Sequence, residues 1–307
     1  MSLLLLEKIL SLFLITLAGF VIVRLGILKA EDSKCLSTLS IYLIVPCTII
    51  SSFQVERSPE VEQGLLFAFA AAFAVQLFMI IAVKLLEKPL KLSPLERVAV
   101  IYSNCGNLII PLVSLILGKE WIIYTCAFIC AHCVFIWSHG RMVLSTGEKP
   151  GIGKILTSSN MIAIYIGVLL FIFEIRFPFP IQDAVDSLAG MVGPIAMLIS
   201  GMLIGGMDLK KLLSYKRAWL AAALRLLVLP LVVLLVFRFS GIASLHPQGS
   251  LLLIITLLAA GAPTASNVVQ MTQVYGGDEN YASAINVLTI VLCVVTMPLL
   301  IELYTRL

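Results

Sequence analysis

Residues 103–121 read SNCGNLIIPLVSLILGKEW, and residues 261–280 read GAPTASNVVQMTQVYGGDEN. Each stretch gathers glycine, proline and small amide or hydroxyl residues into eight residues or fewer, inside a long apolar run. Proline removes a backbone donor from a helix, and asparagine or serine caps a helix that starts again. The two stretches therefore predict two interrupted helices.

The chain as a whole is too apolar for a water-soluble protein. Of its 307 residues, 60% are hydrophobic and 12% are charged, and the mean hydropathy is +1.08. A soluble domain carries about 25% charged residues. The composition excludes a soluble enzyme, a nucleic-acid binder and a disordered regulator. It predicts an all-α integral membrane protein, because the apolar runs are too long and too uniform for the strands of a barrel.

Ten apolar runs have the length of a membrane-crossing helix, which needs about 20 residues. Charged or Pro/Gly-rich segments separate them. The predicted spans are 3–28, 35–55, 64–86, 95–117, 120–144, 159–175, 184–207, 217–240, 249–274 and 280–304.

The basic residues predict the orientation in the membrane. The loops after spans 1, 3, 5 and 7 carry about two thirds of the 21 Lys and Arg residues. Because Lys and Arg concentrate in cytoplasmic loops, these loops are expected in the cytoplasm and both termini outside. We expect a multi-pass protein of the plasma (inner) membrane.

The two halves of the chain, 1–150 and 151–307, share weak similarities. Pro46 and Pro194 lie at matching places in spans 2 and 7, and spans 4 and 9 are the two interrupted ones. Because each half has five spans, a duplicated half enters the membrane in the opposite sense. Such a 5+5 inverted repeat indicates a secondary carrier.

The interruptions predict the binding site. A helix that starts again exposes backbone N–H groups with partial positive charge, and two oppositely directed spans can present such ends to one point in the membrane. This arrangement suits a small anion, especially a carboxylate, whereas the alternative interpretation is that the same residues only kink the helices. The predicted site residues are Asn104, Asn107, Pro111, Pro263, Ser266 and Asn267. Secondary candidates are Ser51, Ser52, Ser103, Ser200, Arg225 and Gln270.

Arg225 and a group of residues in span 5 permit more than one interpretation. Arg225 lies within span 8, where it can snorkel to the interface, form a structural pair, or act as a substrate counter-charge or gate. His132 and His139 share a helical face and suit interhelical hydrogen bonds or a proton relay. One helix cannot wrap a tetrahedral metal site, so packing is the favoured role of the neighbouring cysteines. These are Cys126, Cys130 and Cys133.

The end of the chain resembles a known family. Residues 262–299 look like the last two spans of auxin efflux carrier family transporters, the bacterial relatives of plant PIN proteins. The matching residues are Pro263, Asn267, Tyr275-Gly276, Ala282-Ser283 and Thr296-Met297-Pro298, together with Asn104 and Pro111 at the family spacing in span 4. The chain departs from the family at Gln273 and Val274, where relatives commonly carry a Lys-Glu pair.

The resemblance implies a PIN-like, bile-acid-symporter-like fold. Spans 1, 2, 6 and 7 would form a scaffold, and spans 3–5 and 8–10 a transport domain that carries the crossing helices 4 and 9. It also implies elevator-like movement and export or exchange of organic anions. A homodimer through the scaffold helices is left open.

We therefore expect a secondary active or potential-driven carrier of a small organic anion, with the lipid bilayer and the anion as its partners. We expect no enzyme activity, cofactor, bound metal or nucleic acid. Sodium and protons both remain candidates for a coupling ion. One alternative is an anion channel, which requires a continuous polar lining, whereas the spans contain only two short polar clusters. The other is an intramembrane enzyme, for which the spans show no catalytic motif.

Overall fold

The computed structural model describes residues 14–145, 157, 159–206, 214–275 and 277–307, and these residues form helices and their connections. The helices of the first half are α1 (Leu14–Arg24), α2 (Ala30–Ser52), α3 (Pro59–Glu87), α4 (Pro94–Ile101), α5 (a π-helical turn Cys105–Ile109 followed by Ile110–Ile116) and α6 (Lys119–Leu144). Those of the second half are α7 (Ser159–Ile172), α8 (Phe179–Gly190), α9 (Val192–Gly206), α10 (Lys216–Phe239), α11 (Gly249–Ala260), α12 (Ser266–Val274) and α13 (Glu279–Arg306).

Five of these helices are long and apolar enough to cross a membrane. They are Ala30–Ser52, Pro59–Glu87, Lys119–Leu144, Lys216–Phe239 and Asn280–Arg306. The all-helical architecture and these helices agree with the predicted class of membrane protein. The count of ten spans and the inverted repeat stay predictions.

Several helix bounds differ from the sequence prediction for reasons that local chemistry explains. The predicted first span, 3–28, begins outside the described residues, and its helix ends at Arg24, before Gly26 with its left-handed φ of 73°. The predicted span 184–207 begins earlier, at Phe179, because Pro178 and Pro180 fit the cap and first turn of a helix. This span also divides at Met191 into α8 and α9.

The chain divides into two compact units. Unit 1 comprises Met1–Leu65, Gly106–Cys126 and Leu156–Met207, and unit 2 comprises Leu66–Cys105, Ala127–Ile155 and Asp208–Leu307. Within the described residues, unit 1 holds α1, α2, α7, α8 and α9 with most of α5. Unit 2 holds α4 and α10–α13 with most of α3 and α6.

In unit 1, α1 and α9 approach each other closely through glycines. A Cβ atom added at Gly201 would meet the backbone of Thr16 and Phe20, and one added at Gly205 would meet Phe20 as well. Small residues spaced four apart are typical of tightly packed membrane helices. The end of α2 packs against α7 and α8, where Phe53 fills the space next to Gly167.

In unit 2, α13 forms the centre of the packing. It contacts α4, α10, α11 and α12, and its inward face includes the fully buried Ile285 and Thr289. α10 also packs against α4 and α11. Unit 2 therefore surrounds the places where α4 and α11 end.

Substitution at Gly201 tests the close approach of α1 and α9. We expect Gly201→Ala to lower the free energy of unfolding by about 1–3 kcal/mol, because the added methyl group overlaps backbone atoms that cannot move separately. Thermal unfolding of the detergent-purified protein measures the effect.

Gly190→Ala is the matched control. No atom lies within 4 Å of a Cβ built at Gly190, the last residue of α8. Alanine there should change stability by less than about 0.5 kcal/mol, because the added methyl group meets no other atom. Equal effects of the two substitutions would contradict the packing described.

Candidate functional site

Both predicted interruptions are present. α4 ends at Ile101 and is followed by extended backbone, with Tyr102 at φ −102° and ψ 126°. α11 ends at Ala260, and the chain stays non-helical until α12 starts after Ala265, at φ −62° and ψ 133°. Each apolar run thus contains a short extended stretch between two helices.

The two extended stretches cross as an antiparallel pair. Ser103 and Thr264 form an isolated bridge. The backbone N–H of Asn104 donates to the carbonyl of Pro263 at 2.8 Å, and that of Ala265 donates to Tyr102 at 3.0 Å. Each stretch satisfies backbone groups of the other, which an interrupted helix in hydrocarbon requires.

Thr264 is fixed from three sides. Its hydroxyl donates to the carbonyl of Ala99 at 3.0 Å, and its backbone N–H donates to the hydroxyl of Thr289 at 3.1 Å. Its carbonyl accepts from the Asn286 side-chain amide at 2.8 Å. Because Asn286 and Thr289 both belong to α13, this helix holds the crossing in place.

Arg225 binds the carbonyl ends of both interrupted helices. Its guanidinium donates to Ala262 at 2.8 Å, and it also reaches Ala259 at 3.4 Å. From α4 it binds Val100 at 2.9 Å and Ile101 at 3.1 Å. The last carbonyls of a helix lack partners and carry partial negative charge, so a cation stabilises them.

The surroundings of Arg225 correct one of its predicted roles. The residue is 1% exposed and lies in a π-helical turn, Leu224–Val228, of α10. It therefore does not snorkel to the interface. Its guanidinium makes four hydrogen bonds to backbone carbonyls, which are dipoles and not full charges. The centre of unit 2 thus retains a buried positive charge.

Besides Arg225, five predicted residues lie at this crossing in unit 2. Pro263 and Ser103 are buried, whereas Asn104, Ser266 and Asn267 are half-buried. The Ser103 hydroxyl has no hydrogen-bond partner among the residues that the structure describes. At the start of α12, Ala265 cannot supply a side-chain cap, and its carbonyl accepts from the N–H of Val268 at 3.0 Å. The N–H groups of Ser266 and Asn267 have no acceptor among the described residues.

Four other predicted residues cannot be assigned to this place from their side chains. The side chains of Asn107, Pro111, Ser200 and Gln270 lie outside the described part of the chain. In the backbone, Asn107 and Pro111 belong to α5 of unit 1.

Ser51 and Ser52 contribute to a different feature, a polar cavity within unit 1. Its volume is about 380 Å³, and its lining includes both serines, Gln182 and Asp186. Ser51 donates to the Asp186 carboxylate, which also accepts from Gln182 at 3.0 Å. Ser52 donates to the carbonyl of Ile49 at 2.6 Å.

The two histidines of α6 form hydrogen bonds between helices. His139 Nδ1 lies 2.9 Å from the hydroxyl of Tyr102, which donates to the carbonyl of Phe135 at the same distance. Because this hydroxyl has one proton, His139 is then the donor to Tyr102. His132 Nδ1 lies 3.2 Å from the Gln76 amide of α3. These contacts favour the interhelical role of the histidines.

Sequence reasoning missed the residues that support the crossing. Thr264 lies between Pro263 and Ser266, but a hydroxyl in an apolar run gives no sign of its partners. Asn286 and Thr289 are three residues apart and share a face of α13. That spacing of polar residues in an apolar helix is the one signal that could have indicated them.

Comparison with known proteins identifies the family. The family profile described as "Membrane transport protein" matches residues 4–155 and residues 151–301. The chain belongs to the auxin efflux carrier family of membrane transport proteins.

The predicted resemblance to auxin efflux carriers is thereby confirmed, and the protein is a multi-pass membrane transporter. The chain is also similar to a protein of Rhizobium meliloti (strain 1021) named "Putative malonate transporter". The two are 24% identical over 310 residues, which cover 94% of this chain and 92% of the relative.

Replacement of Arg225 tests its role as the clamp of the two helix ends. We expect Arg225→Met to lower the free energy of unfolding by about 3 kcal/mol or more, because it leaves buried carbonyls without donors. Arg225→Lys should recover part of the loss, since an ammonium keeps the charge but not the planar fork of donors. Thermal unfolding of the purified variants gives the comparison.

Arg238→Met is the control, because Arg238 is exposed on the same helix and donates to the carbonyl of Leu307. It should change stability by less than about 1 kcal/mol. If Arg225→Met were as stable as this control and only failed to bind substrate, Arg225 would be a ligand and not a clamp.

Proposed function

We propose that this auxin efflux carrier family member is a secondary carrier of a small organic anion, with a carboxylate bound at the crossing of α4–α5 and α11–α12. The proposed ligands are Asn104, Ser266 and Asn267, with Ser103 as a further hydroxyl. Pro263 holds the non-helical backbone open by lacking a donor. Asn107 and Pro111, the other two residues of the predicted set, belong to α5 of unit 1.

One observation carries the proposal: the buried guanidinium of Arg225 at the carbonyl ends of α4 and α11. Without Arg225, those carbonyls could bind a cation, but they already accept hydrogen bonds from its guanidinium. What the crossing leaves available are amide N–H groups and neutral side chains. In a low-dielectric interior, the guanidinium charge also favours an anion nearby over a cation.

The start of α12 supplies the donors. A helix N-terminus binds anions through its free N–H groups and its dipole. α12 lacks a side-chain cap at Ala265, so a substrate carboxylate can take that place. The half-buried amides of Asn104 and Asn267 would then fix the orientation of the carboxylate.

The name of the Rhizobium meliloti relative suggests the class of substrate. On the basis of that name, we propose small dicarboxylates, with malonate as the first to be tested, as substrates of this chain. The alignment covers nearly all of both chains, which supports a shared mode of binding.

Elevator-type transport is the proposed mechanism, with unit 2 as the moving part that carries the crossing. Unit 2 contains the crossing, its clamp Arg225 and the supporting helix α13 within one compact set of contacts. The matches of the family profile to residues 4–155 and 151–301 support a 5+5 repeat. We also propose the plasma membrane, with the basic loops in the cytoplasm and both termini outside.

Separate substitutions Asn104→Ala and Asn267→Ala test the site. Each should weaken malonate binding by about tenfold or more, because a hydrogen bond to a charged group contributes about 1.5–3 kcal/mol. The measurement is the malonate-dependent rise of the unfolding temperature, followed by malonate counterflow in proteoliposomes with and without sodium.

Asn280→Ala is the control, since Asn280 is exposed at the start of α13. Full binding and transport by both site variants would refute the site. Flux that neither saturates nor responds to counterflow would favour the channel alternative.

A further inference from the structure

A second cavity lies at one end of unit 2, where several of its helices begin or end. Its volume is about 820 Å³. Its lining comes from the α3–α4 turn, the last residue of α6, the start of α10 and the segment from α12 into α13. Three of these helices are long enough to cross a membrane, so the cavity lies at the membrane boundary. It is also at the end whose loops are predicted to be cytoplasmic.

The acidic groups of this cavity are already engaged. Glu96 is almost fully buried and accepts from Arg217 at 2.7 Å through both carboxylate oxygens. It also accepts from the Tyr281 hydroxyl at 2.7 Å. Asp278 caps α13 by accepting from the backbone of Tyr281 at 3.0 Å. These carboxylates are held by partners on the protein.

Two lysines of the same lining have no such partner. Lys91 and Lys216 are exposed, and neither forms a salt bridge with a residue described by the structure. Lys216 opens α10, whose cap residue, Tyr215, makes no side-chain cap bond. The positive end of this 24-residue helix thus adds to the lysine charges.

The backbone that presents Lys91 is fixed in an uncommon conformation. Lys91 has a left-handed φ of 50°, which residues other than glycine rarely adopt. The Arg217 guanidinium holds this turn by donating to the carbonyls of Leu90 at 3.3 Å and Lys91 at 2.9 Å. The turn is therefore preformed, and it keeps Lys91 at the cavity.

The walls of the cavity are aromatic and apolar. The rings of Tyr215 and Tyr281 are 5.5 Å apart, and the guanidinium of Arg141 lies 5.9 Å from the ring centre of Tyr275. Leu95 and Leu144 contribute aliphatic surface. Tyrosine next to lysine is the composition that membrane proteins place at the level of lipid headgroups.

We propose that this cavity binds the phosphate of an anionic phospholipid, with Lys91 and Lys216 as its charged contacts. Basic pockets between helices at the cytoplasmic boundary suit such headgroups. A small soluble dicarboxylate would fill little of an 820 Å³ cavity and would leave its apolar walls in water. The glycerol and upper acyl region of a lipid covers such walls.

The test compares two double variants that each remove two positive charges from the same end of unit 2. Lys91→Gln/Lys216→Gln changes the lining, whereas Lys84→Gln/Lys88→Gln changes exposed lysines near the end of α3 that do not line the cavity. Native mass spectrometry and thermal unfolding, with phosphatidylglycerol titrated into the detergent-purified protein, measure lipid binding.

Phosphatidylglycerol should bind the wild type and the Lys84/Lys88 variant about equally. It should bind the Lys91/Lys216 variant about 30-fold more weakly, because a lysine near an anionic lipid surface contributes about fivefold in affinity. Equal weakening in both double variants would show only a diffuse charge effect and would overturn the proposal.

Three further additions distinguish the source of the anion. Phosphatidylcholine, which has no net charge, should stabilise all three proteins equally and weakly. Inorganic phosphate and malonate should give no shift that depends on Lys91 and Lys216. A shift with phosphate would reassign the cavity to a soluble phosphate, and a shift with malonate would make it part of the transport route.

Discussion

The crossing in unit 2 depends on one constraint, which is that backbone groups freed by an interrupted helix must find partners where water is scarce. Arg225 meets this constraint for the carbonyl ends of α4 and α11 with a single side chain. Its planar guanidinium carries five donors, so one residue can serve two helix ends that face each other. The backbone pairing of Asn104 with Pro263 then completes the crossing.

Two polar residues of α13 also support the crossing. Asn286 and Thr289 lie in a helix that otherwise packs through apolar side chains. The Asn286 amide donates to the carbonyl of Thr264, and the Thr289 hydroxyl accepts from the N–H of Thr264. The Thr264 hydroxyl in turn donates a hydrogen bond to the carbonyl of Ala99, near the end of α4. The buried hydroxyls of Thr264 and Thr289 cost little here because each has a hydrogen-bond partner. A chain of hydrogen bonds thus joins α13 to α4 through the extended stretch at Thr264, and it supports the crossing in addition to apolar packing.

The sequence predicts those features of the structure that depend on interactions between residues close together in the chain. The interruptions at Asn104 and Pro263 were predictable, because proline and asparagine act on their own backbone. Most helix bounds were predicted within a few residues, because charged or Pro/Gly-rich segments separate the apolar runs. One exception is α8, which begins earlier than predicted, at Phe179. The partners of Arg225 were not predictable, since backbone carbonyls are identical at every residue. The link from Ser51 to Asp186 joins residues far apart in the chain, and no local pattern marks it.

The electrostatics of the crossing bear on how selectivity could arise. A guanidinium that is hydrogen-bonded only to carbonyl dipoles keeps its charge, and its field attracts any small anion whatever the shape of the anion. In the proposed site, discrimination between carboxylates would come from the groups that touch them, whose positions are fixed by the crossing. Asn104 directly follows the bridge residue Ser103, and Ser266 directly follows Ala265, which bonds to Tyr102. The same backbone pairing that stabilises the interrupted helices thus sets the spacing of the polar side chains, so in the proposed site fold stability and substrate selection would share one structural element.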